Sequence, residues 1–353
     1  MIFRLLRDNR ELSVALIIVV LFLILGFRDS SYLSLATVHS VFNNSLILIV
    51  IAIGATMVMA TRGLDVSVGS VMGLAAAVSG ILMNAGHSIA VGILAGLACG
   101  LACGLFNGYL VAFLRVPAIV ATLGTLGLYR GFVHILTGGS WIEGLPEPFK
   151  DLTREGFLWL SPIAWLVIVL LVSAHLTLRY SRFGRAMFAV GDNREGARLL
   201  GIRVGSVQLA AYAANGTLAA LAGIIFASQI GFIPNTAGTG QEMRAIAASV
   251  LGGVSLLGGT GTVLGAALGA YFLTTIDSVL VLSRMPAYLN DMIAGGILLI
   301  VLIADGKLRE FVDNLLRRQK YRKFTESGPQ SADTADAASL ASPTATIAHE
   351  VQK

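Results

Sequence analysis

The feature that most constrains this chain is a succession of long apolar runs along most of its length. A helix needs about 20 residues to cross the hydrocarbon core of a bilayer, and most of the runs are close to that length. We count ten, at approximately 12–27, 45–60, 66–84, 89–113, 116–136, 158–178, 207–230, 243–258, 263–282 and 288–304. Backbone polar groups inside a bilayer must be satisfied within the segment, so such runs form helices. The sequence therefore predicts an all-α integral membrane protein with about ten transmembrane helices.

The distribution of positive charge predicts the orientation of these helices. Of the 25 Lys and Arg residues, 16 lie in three segments, at 4–10, 179–203 and 307–323. Cytoplasmic loops carry the excess of Lys and Arg, so these segments are predicted to share the cytoplasm. An even number of helices then places both termini and the 179–206 loop on one side. The loop at 137–156, with four acidic residues and two basic ones, falls outside.

An internal repeat occurs at a constant offset of 169 residues. The best match pairs Arg115, Pro117 and Ala118 with Arg284, Pro286 and Ala287, and several glycines match at the same offset, including 54 with 223 and 69 with 238. The offset spans five helices, an odd number, so the two halves, about 45–136 and 207–304, should cross the membrane in opposite orientations. In transporters with inverted repeats, the substrate path runs along the interface of the halves.

Two glycine-rich segments, 61–73 and 231–243, occupy corresponding places in the repeat. Their glycines and Pro234 let the backbone leave helical geometry, which at membrane depth requires protein or water to receive the freed polar groups. The two segments either line a transport path or are ordinary loops between helices.

The segment Asp192–Ile202, DNREGARLLGI, is a polar helix signature between two apolar runs. Asp192 is predicted to cap the helix, Glu195 to return a bond as in a capping box, and Gly201 to end the helix. About two helical turns are too short to be stable alone. The segment is either a solvated loop helix or a docking helix for a cytoplasmic partner.

Here the sequence resembles a known family. Glu195, Gly196, Ala197 and, after three further residues, Gly201 look like the EAA loop of ATP-binding-cassette importer permeases, with Gly196 in place of the usual second Ala. GLDVSVGS (63–70), GRAMFAVGDN (184–193) and the 236–259 segment resemble the ribose-type sugar permeases over nearly the whole chain. VPAIVATLGTLGLYRG (116–131) and GGSWIEGLP (138–146) are most similar to the permeases of autoinducer-2 importers.

This resemblance implies a heterodimer of two permeases, cytoplasmic ATP-binding subunits and a periplasmic solute-binding protein. The helix that docks into the ATPase would comprise Asp192, Asn193, Arg194, Glu195, Gly196, Ala197, Arg198 and Gly201. The chain has no G-x-x-x-x-G-K-[ST] phosphate loop, so ATP and magnesium are expected in the partner ATPase and no cofactor or metal on this chain. We expect no catalytic residues and a multi-pass protein of the bacterial inner membrane.

Polar residues inside the predicted helices are the candidates for the translocation path, because each costs free energy in hydrocarbon. They are Asn107, Thr122, Thr125, Tyr129, Asn215, Gln229, Asp277 and Asn290. Arg130 with Asp277 or Asp291 could instead form a salt bridge that joins helices. Because no dense charge cluster lines the predicted helices, the path suits a neutral, hydroxyl-rich solute.

The predicted architecture is a transmembrane permease domain at 1–323, followed by a disordered cytoplasmic tail at 324–353, whose composition lacks apolar periodicity. The predicted function is ATP-driven uptake of a small sugar-like solute, most closely autoinducer-2. Two alternatives stay open at this point, an ion-coupled secondary sugar transporter and a permease of the same family for ribose or another monosaccharide.

Overall fold

The apolar runs up to residue 282 contain α-helices in the computed structural model, which describes residues 10–28, 30–154 and 156–284 and single residues from 286 to 299. The helices are α1 (Arg10–Arg28), α2 (Leu35–Ala60), α3 (Val68–Asn84), α4 (Ile89–Ala112), α5 (Ala118–Thr137), α6 (Glu147–Lys150), α7 (Pro162–Tyr180), α8 (Arg182–Asp192), α9 (Arg194–Leu199), α10 (Val204–Ile230), α11 (Gln241–Leu251) and α12 (Val263–Leu282). Within the described residues the only β-type pairing is an isolated bridge between Ile142 and Ile233. The all-helical prediction is confirmed.

Several of the long helices begin at a hydroxyl side chain. The Oγ atoms of Ser34, Ser88 and Ser161 each accept a hydrogen bond from a backbone N–H three residues later, at the starts of α2, α4 and α7. Such a cap satisfies one of the first-turn donors that have no partner within the helix. Because Ser34 provides this cap, α2 begins about ten residues before the predicted run at 45.

The number of membrane-spanning helices is only partly settled by the described residues. Six helices, α2, α4, α5, α7, α10 and α12, are long and apolar enough to cross a membrane, and α1 and α3 contain shorter apolar stretches. α11 has 11 residues and ends before residue 258, because Gly252 closes it and Gly253 has φ +91°. Most of the predicted run at 288–304 and the whole tail at 324–353 lie outside the described residues. The described helices are those of a multi-pass membrane protein, and the count of ten stays a prediction.

The offset of 169 residues recurs in the helices. Moving α2, α3 and α4 by 169 residues places them on α10, α11 and α12, with bounds that differ by a few residues. α4 packs on α10, and its counterpart α12 packs on α2. Arg115 and Arg284, the arginines of the repeated motif, both have a left-handed backbone, with φ of 57° and 56°. The packing of α4 on α10 and of α12 on α2 is what an approximate twofold axis between the halves requires. The opposite orientation of the halves in a membrane stays a prediction.

The two glycine-rich segments meet each other inside the bundle. A Cβ atom on Gly69, at the start of α3, would lie 2.2 Å from the carbonyl oxygen of Gly238, and one on Gly238 would lie 2.0 Å from the carbonyl oxygen of Gly69. These glycines match at the repeat offset. The segments therefore cross where the two halves meet, at a contact that only residues without a Cβ permit.

Candidate functional site

The predicted docking segment contains two consecutive helices, of which the first, α8, is amphipathic. Its buried residues are Gly184, Met187, Val190 and Gly191, a spacing that places them on one face of a helix. A Cβ on Gly191 would clash with the carbonyl oxygen of Ala60, so α8 lies directly against the end of α2. The sequence analysis did not predict α8 as a separate helix, although the apolar spacing within GRAMFAVGDN could have revealed it.

The second helix, α9, starts one residue later than predicted. Asp192 is the last residue of α8, and Asn193 is the cap of α9, with φ −148° and its Oδ1 accepting from the N–H of Gly196 at 2.9 Å. The prediction that Asp192 caps the helix is therefore wrong. With Asn193 as the cap, Glu195 stands one position too early for a capping box, and it pairs instead with Arg198 at 2.7 Å.

α9 is ended by Gly201, as the sequence predicts. Gly201 has φ +79°, and the N–H of Ile202 donates to the carbonyl of Ala197 at 3.0 Å while the N–H of Gly201 donates to that of Arg198 at 2.9 Å. These two bonds form a Schellman motif, which satisfies carbonyls at the end of a helix. α9 is thus closed at both ends by its own residues.

The outward surface of α9 combines charge with two leucines. Ala197 is buried and fixes the helix to the protein, whereas Arg194, Glu195 and Arg198 are exposed. Leu199 and Leu200 are 90% and 80% exposed. These are among the largest exposures of apolar side chains in the described residues, and they lie on a segment predicted to face water. Exposed apolar patches of this kind occur at contacts with other proteins or with a membrane, and the docking role of the segment stays a prediction.

Three of the eight polar candidates inside the helices, Asn107, Tyr129 and Asn215, meet in one buried network. Its centre is Asp65, which the sequence analysis did not select although it lies in the GLDVSVGS motif. The Asp65 carboxylate accepts from the Nδ2 of Asn215 at 2.8 Å, and from the N–H and Oγ of Ser67 at 2.9 and 2.6 Å. Asn107 donates from Nδ2 to the Oγ of Ser67 at 2.7 Å, and its Oδ1 accepts from the hydroxyl of Tyr129 at 3.2 Å.

This network, together with the neighbouring threonines, holds the 61–67 segment between helices. The Thr122 hydroxyl donates to the carbonyl of Ala118 at 2.9 Å and lies 3.4 Å from that of Leu64, and Thr125 donates to the carbonyl of Thr122 at 3.3 Å. All four network partners of Asp65, and both threonines, are nearly or wholly inaccessible to solvent. The network therefore anchors α4, α5 and α10 to the segment in this structure, and its part in the translocation path stays a prediction.

The remaining candidates lie elsewhere, beside an open cavity. Gln229 donates from Nε2 to the Oδ1 of Asn44 at 3.2 Å. Asp277 forms an ion pair with Arg244, a residue that the sequence analysis did not select. Arg130 does not pair with Asp277, because it donates from Nη1 to the carbonyl of Ala237 at 2.7 Å. Asn290 and Asp291 lie outside the described residues.

The loop at 137–156, which is predicted to lie on the outer side, packs over the second glycine-rich segment. The isolated bridge joins Ile142 to Ile233, and Asn235 donates from Nδ2 to the carbonyl of Gly139 at 2.7 Å. Phe149, within the loop, is fully buried. A hydrogen bond from Lys150, together with its charge, holds the pKa of the exposed Glu147 carboxyl below its ordinary value. The loop thus fastens this glycine-rich segment.

The described residues give no sign of a metal centre. Among them, no group of three or more His, Cys, Asp or Glu side chains is placed to hold a metal ion. Cys99 and Cys103 are both free thiols on α4, the second of them buried.

Comparison with known proteins identifies the family. Residues 37–302, well over half of the chain, match the family described as branched-chain amino acid transport system / permease component. "Autoinducer 2 import system permease protein LsrC" of Yersinia enterocolitica is 56% identical over 323 residues, covering 92% of this chain and 90% of that protein. Proteins of the same name from Salmonella typhi and Escherichia coli are 57% and 54% identical, covering 90% and 92% of this chain and 92% and 94% of their own length.

No solved structure matches the chain significantly. The resemblance to importer permeases predicted from the sequence is confirmed by these relatives, and so is the prediction of a permease subunit as opposed to an enzyme. The chain belongs to the branched-chain amino acid transport system / permease component family.

Proposed function

We propose that this chain is the permease subunit of an ATP-driven importer that carries autoinducer-2 across the bacterial inner membrane, with both termini in the cytoplasm. The observation that carries the proposal is the identity of 54–57%, over about nine-tenths of the chain, to proteins named as autoinducer-2 import permeases. The clustering of Lys and Arg at 4–10, 179–203 and 307–323 supports the orientation.

The proposed partners of this chain are ATP-binding subunits, a second permease and a solute-binding protein. The chain has no phosphate-binding loop of the G-x-x-x-x-G-K-[ST] type, so ATP and magnesium are held by cytoplasmic ATP-binding subunits. A second permease completes a heterodimer, and a periplasmic binding protein delivers the solute to its outer face.

Within this assembly, α9 is the helix that receives force from the ATPase. A helix of six residues is unstable alone, and the Asn193 cap and the Gly201 motif keep it formed before any partner arrives. Burying a leucine side chain yields about 1.5–3 kcal/mol, so Leu199 and Leu200, which are 90% and 80% exposed, supply a large part of the docking energy.

The double variant Leu199→Ser/Leu200→Ser tests this role. We expect the permease to reach the membrane at normal abundance, while co-purification of the ATP-binding subunits and autoinducer-2 uptake both fall at least tenfold. Leu158→Ser is the matched control, because Leu158 is 68% exposed on the opposite, outer side of the protein and should change neither. Normal uptake by the double variant would refute the docking role.

The ion-coupled alternative needs a titratable group along the path, and Asp277 was its candidate. In the structure that carboxylate already forms an ion pair with Arg244, so a coupling ion would have to compete with the arginine for it. Uptake measured with an uncoupler present and ATP maintained separates the two, since the proposed importer keeps working and an ion-coupled carrier stops. Competition by ribose in the same assay separates autoinducer-2 import from import of a monosaccharide.

A further inference from the structure

A cavity of about 770 Å³ opens between α2, α10, α11 and α12. Its volume is within the range of small-molecule sites. It is lined by residues 36–48, at the start of α2, and by residues 274–282, at the end of α12. The cavity therefore lies toward the end of the bundle that is far from the contact between α8 and Ala60. By the predicted orientation this is the outer side. Its polar lining residues are Thr37, Ser40, Asn44, Gln229, Gln241, Arg244, Thr274, Asp277 and Ser278.

The polar residues of the cavity lie on single faces of otherwise apolar helices. On α2, residues 37, 40 and 44 are spaced by three and four positions, and on α12 residues 277 and 278 follow residue 274 by three and four positions. Residues at these spacings share one side of a helix. Ser40 and Asn44 are exposed in the structure. Polar groups within a membrane helix face a protein interior or a water-filled cavity instead of lipid, so both faces fit a hydrated space.

The ion pair between Arg244 and Asp277 leaves the cavity without net charge. The pair joins α11 to α12, and its side chains are 20% and 19% exposed, so each can still meet a solute. A charged solute would have to compete with the pair, and separating partly buried charges is costly. An uncharged solute can bind beside the pair, because a carboxylate retains acceptor sites and a guanidinium retains donors.

The internal repeat indicates that the fold itself does not require this pair. The residues 169 positions before Arg244 and Asp277 are Ala75 and Gly108. Both are buried, but they do not meet each other: the Ala75 carbonyl lies at Gly96 of α4, and Gly108 lies against Leu209 and Tyr212 of α10. The first half of the protein therefore carries no charge at either corresponding position, and the ion pair with its cavity belongs to the second repeat.

We infer that this cavity is the outward-facing binding site for an uncharged, polyhydroxylated solute, an inference that rests on the proposed importer function. Asp277 accepts hydrogen bonds from solute hydroxyls, and Arg244 donates to a ring or carbonyl oxygen. The amides of Asn44 and Gln229 each offer a donor and an acceptor, and they complete the recognition of a molecule that carries both kinds of group.

Cysteine labelling of the complete importer in spheroplasts tests whether the cavity holds water and solute. In a Cys99→Ala/Cys103→Ala background, Ser278→Cys places a thiol in the cavity. Ser173→Cys places one on the surface of α7, inside a predicted transmembrane helix and away from the cavity, where a charged reagent does not enter the lipid. A sulfonate-bearing methanethiosulfonate, which does not cross membranes, should modify the first and not the second. Autoinducer-2 should slow the modification several-fold, and the modified protein should lose uptake.

Failure of the inference and failure of the proposed function give different results. If the unmodified importer takes up autoinducer-2 but Ser278→Cys does not react, or reacts and keeps full uptake, the cavity is not the solute site and the importer function stands. If the unmodified importer shows no such uptake, the proposed function is wrong, and a Ser278→Cys thiol that does not react overturns the cavity as well.

A second variant separates binding from structure. Arg244→Gln/Asp277→Asn replaces the ion pair by amides of similar shape that can still bond to each other. If the pair only joins two helices, uptake should remain near normal, which would overturn the inference. If the pair orients the solute, uptake should fall at least tenfold while the ATP-binding subunits still co-purify.

Discussion

The crossing of the two glycine-rich segments offers the sharpest test of the fold. In the structure, a Cβ on Gly69 would lie 2.2 Å from the carbonyl oxygen of Gly238. The nearest comfortable contact of two such atoms is more than 1 Å longer, given the separations of about 3.5–4.0 Å at which non-bonded carbon atoms attract. The Oε2 of Glu242 lies equally near, at 2.2 Å, and belongs to a side chain that can move, but the Gly238 carbonyl is backbone. Gly69→Ala must therefore push the two halves of the protein apart.

The size of this effect can be worked out from the two positions. Inserting a methyl group into a well-packed interior costs about 1–3 kcal/mol, and that cost applies in full to Gly69→Ala. Gly238→Ala meets the carbonyl of Gly69 at 2.0 Å and has φ +77°, a left-handed backbone that costs a non-glycine residue about 1–2 kcal/mol more. We expect the second variant to be the less stable of the two.

The assay is the apparent Tm of the purified permease complex, followed by size-exclusion chromatography after heating. One kcal/mol shifts Tm by about 2–4 °C in domains of 150–250 residues, so both variants should lose several degrees. Gly127→Ala is the control, because nothing lies within 4 Å of a Cβ at that position of α5 and Ala is favoured over Gly in a helix by about 1 kcal/mol. If Gly69→Ala proves as stable as Gly127→Ala, the two segments do not cross as described.

Three further predictions, made with five variants, test the local assignments. Asn193→Ala should remove the cap of α9, at about 1 kcal/mol, and speed amide hydrogen exchange across 194–199, whereas Asp192→Ala should leave exchange there unchanged. Asn215→Leu should cost about 1.5–3 kcal/mol, because the Asp65 carboxylate loses a buried donor, and the Tm of the complex should fall; an unchanged Tm would contradict the network. Gly201→Val should impair uptake because a β-branched residue resists φ +79°, and Gly201→Asn, which tolerates that backbone, should preserve it.

The helices could be predicted from the sequence where hydrophobicity alone decides them. The prediction of α12 at 263–282 agrees with the structure. At α11 and α2 the bounds depend on local chemistry that a hydrophobicity pattern does not contain, namely the Gly252–Gly253 break and the Ser34 cap. The error at Asp192 has a related cause, since Asp192 and Asn193 are both good caps and tertiary packing of Gly191 against Ala60 carries α8 one residue further.

The candidate site was only partly predictable, because its contacts join residues that are far apart in sequence. Because polar residues cost free energy in a membrane, the sequence analysis selected Asn107, Tyr129 and Asn215. It could not show that they meet at Asp65, some 150 positions from Asn215. It also selected Asp277 and offered Asp277 or Asp291 as the partner of Arg130. Arg244 is the partner of Asp277; it lies inside the predicted run 243–258, so the same argument applied to it and could have selected it.

The position of α8 explains how a push on α9 can reach both halves of the protein. A Cβ on Gly191 would lie 1.9 Å from the carbonyl oxygen of Ala60, in the first half, and 2.5 Å from the backbone N of Gly259, in the second. That N–H itself donates to the carbonyl of Ala60 at 3.2 Å. Close-packed elements transmit a displacement and do not absorb it, and α9 follows α8 without a linker. If an ATPase pushes on α9 as we propose, the movement must therefore displace α2 and the α11–α12 loop together, which a loop helix attached to one half could not do.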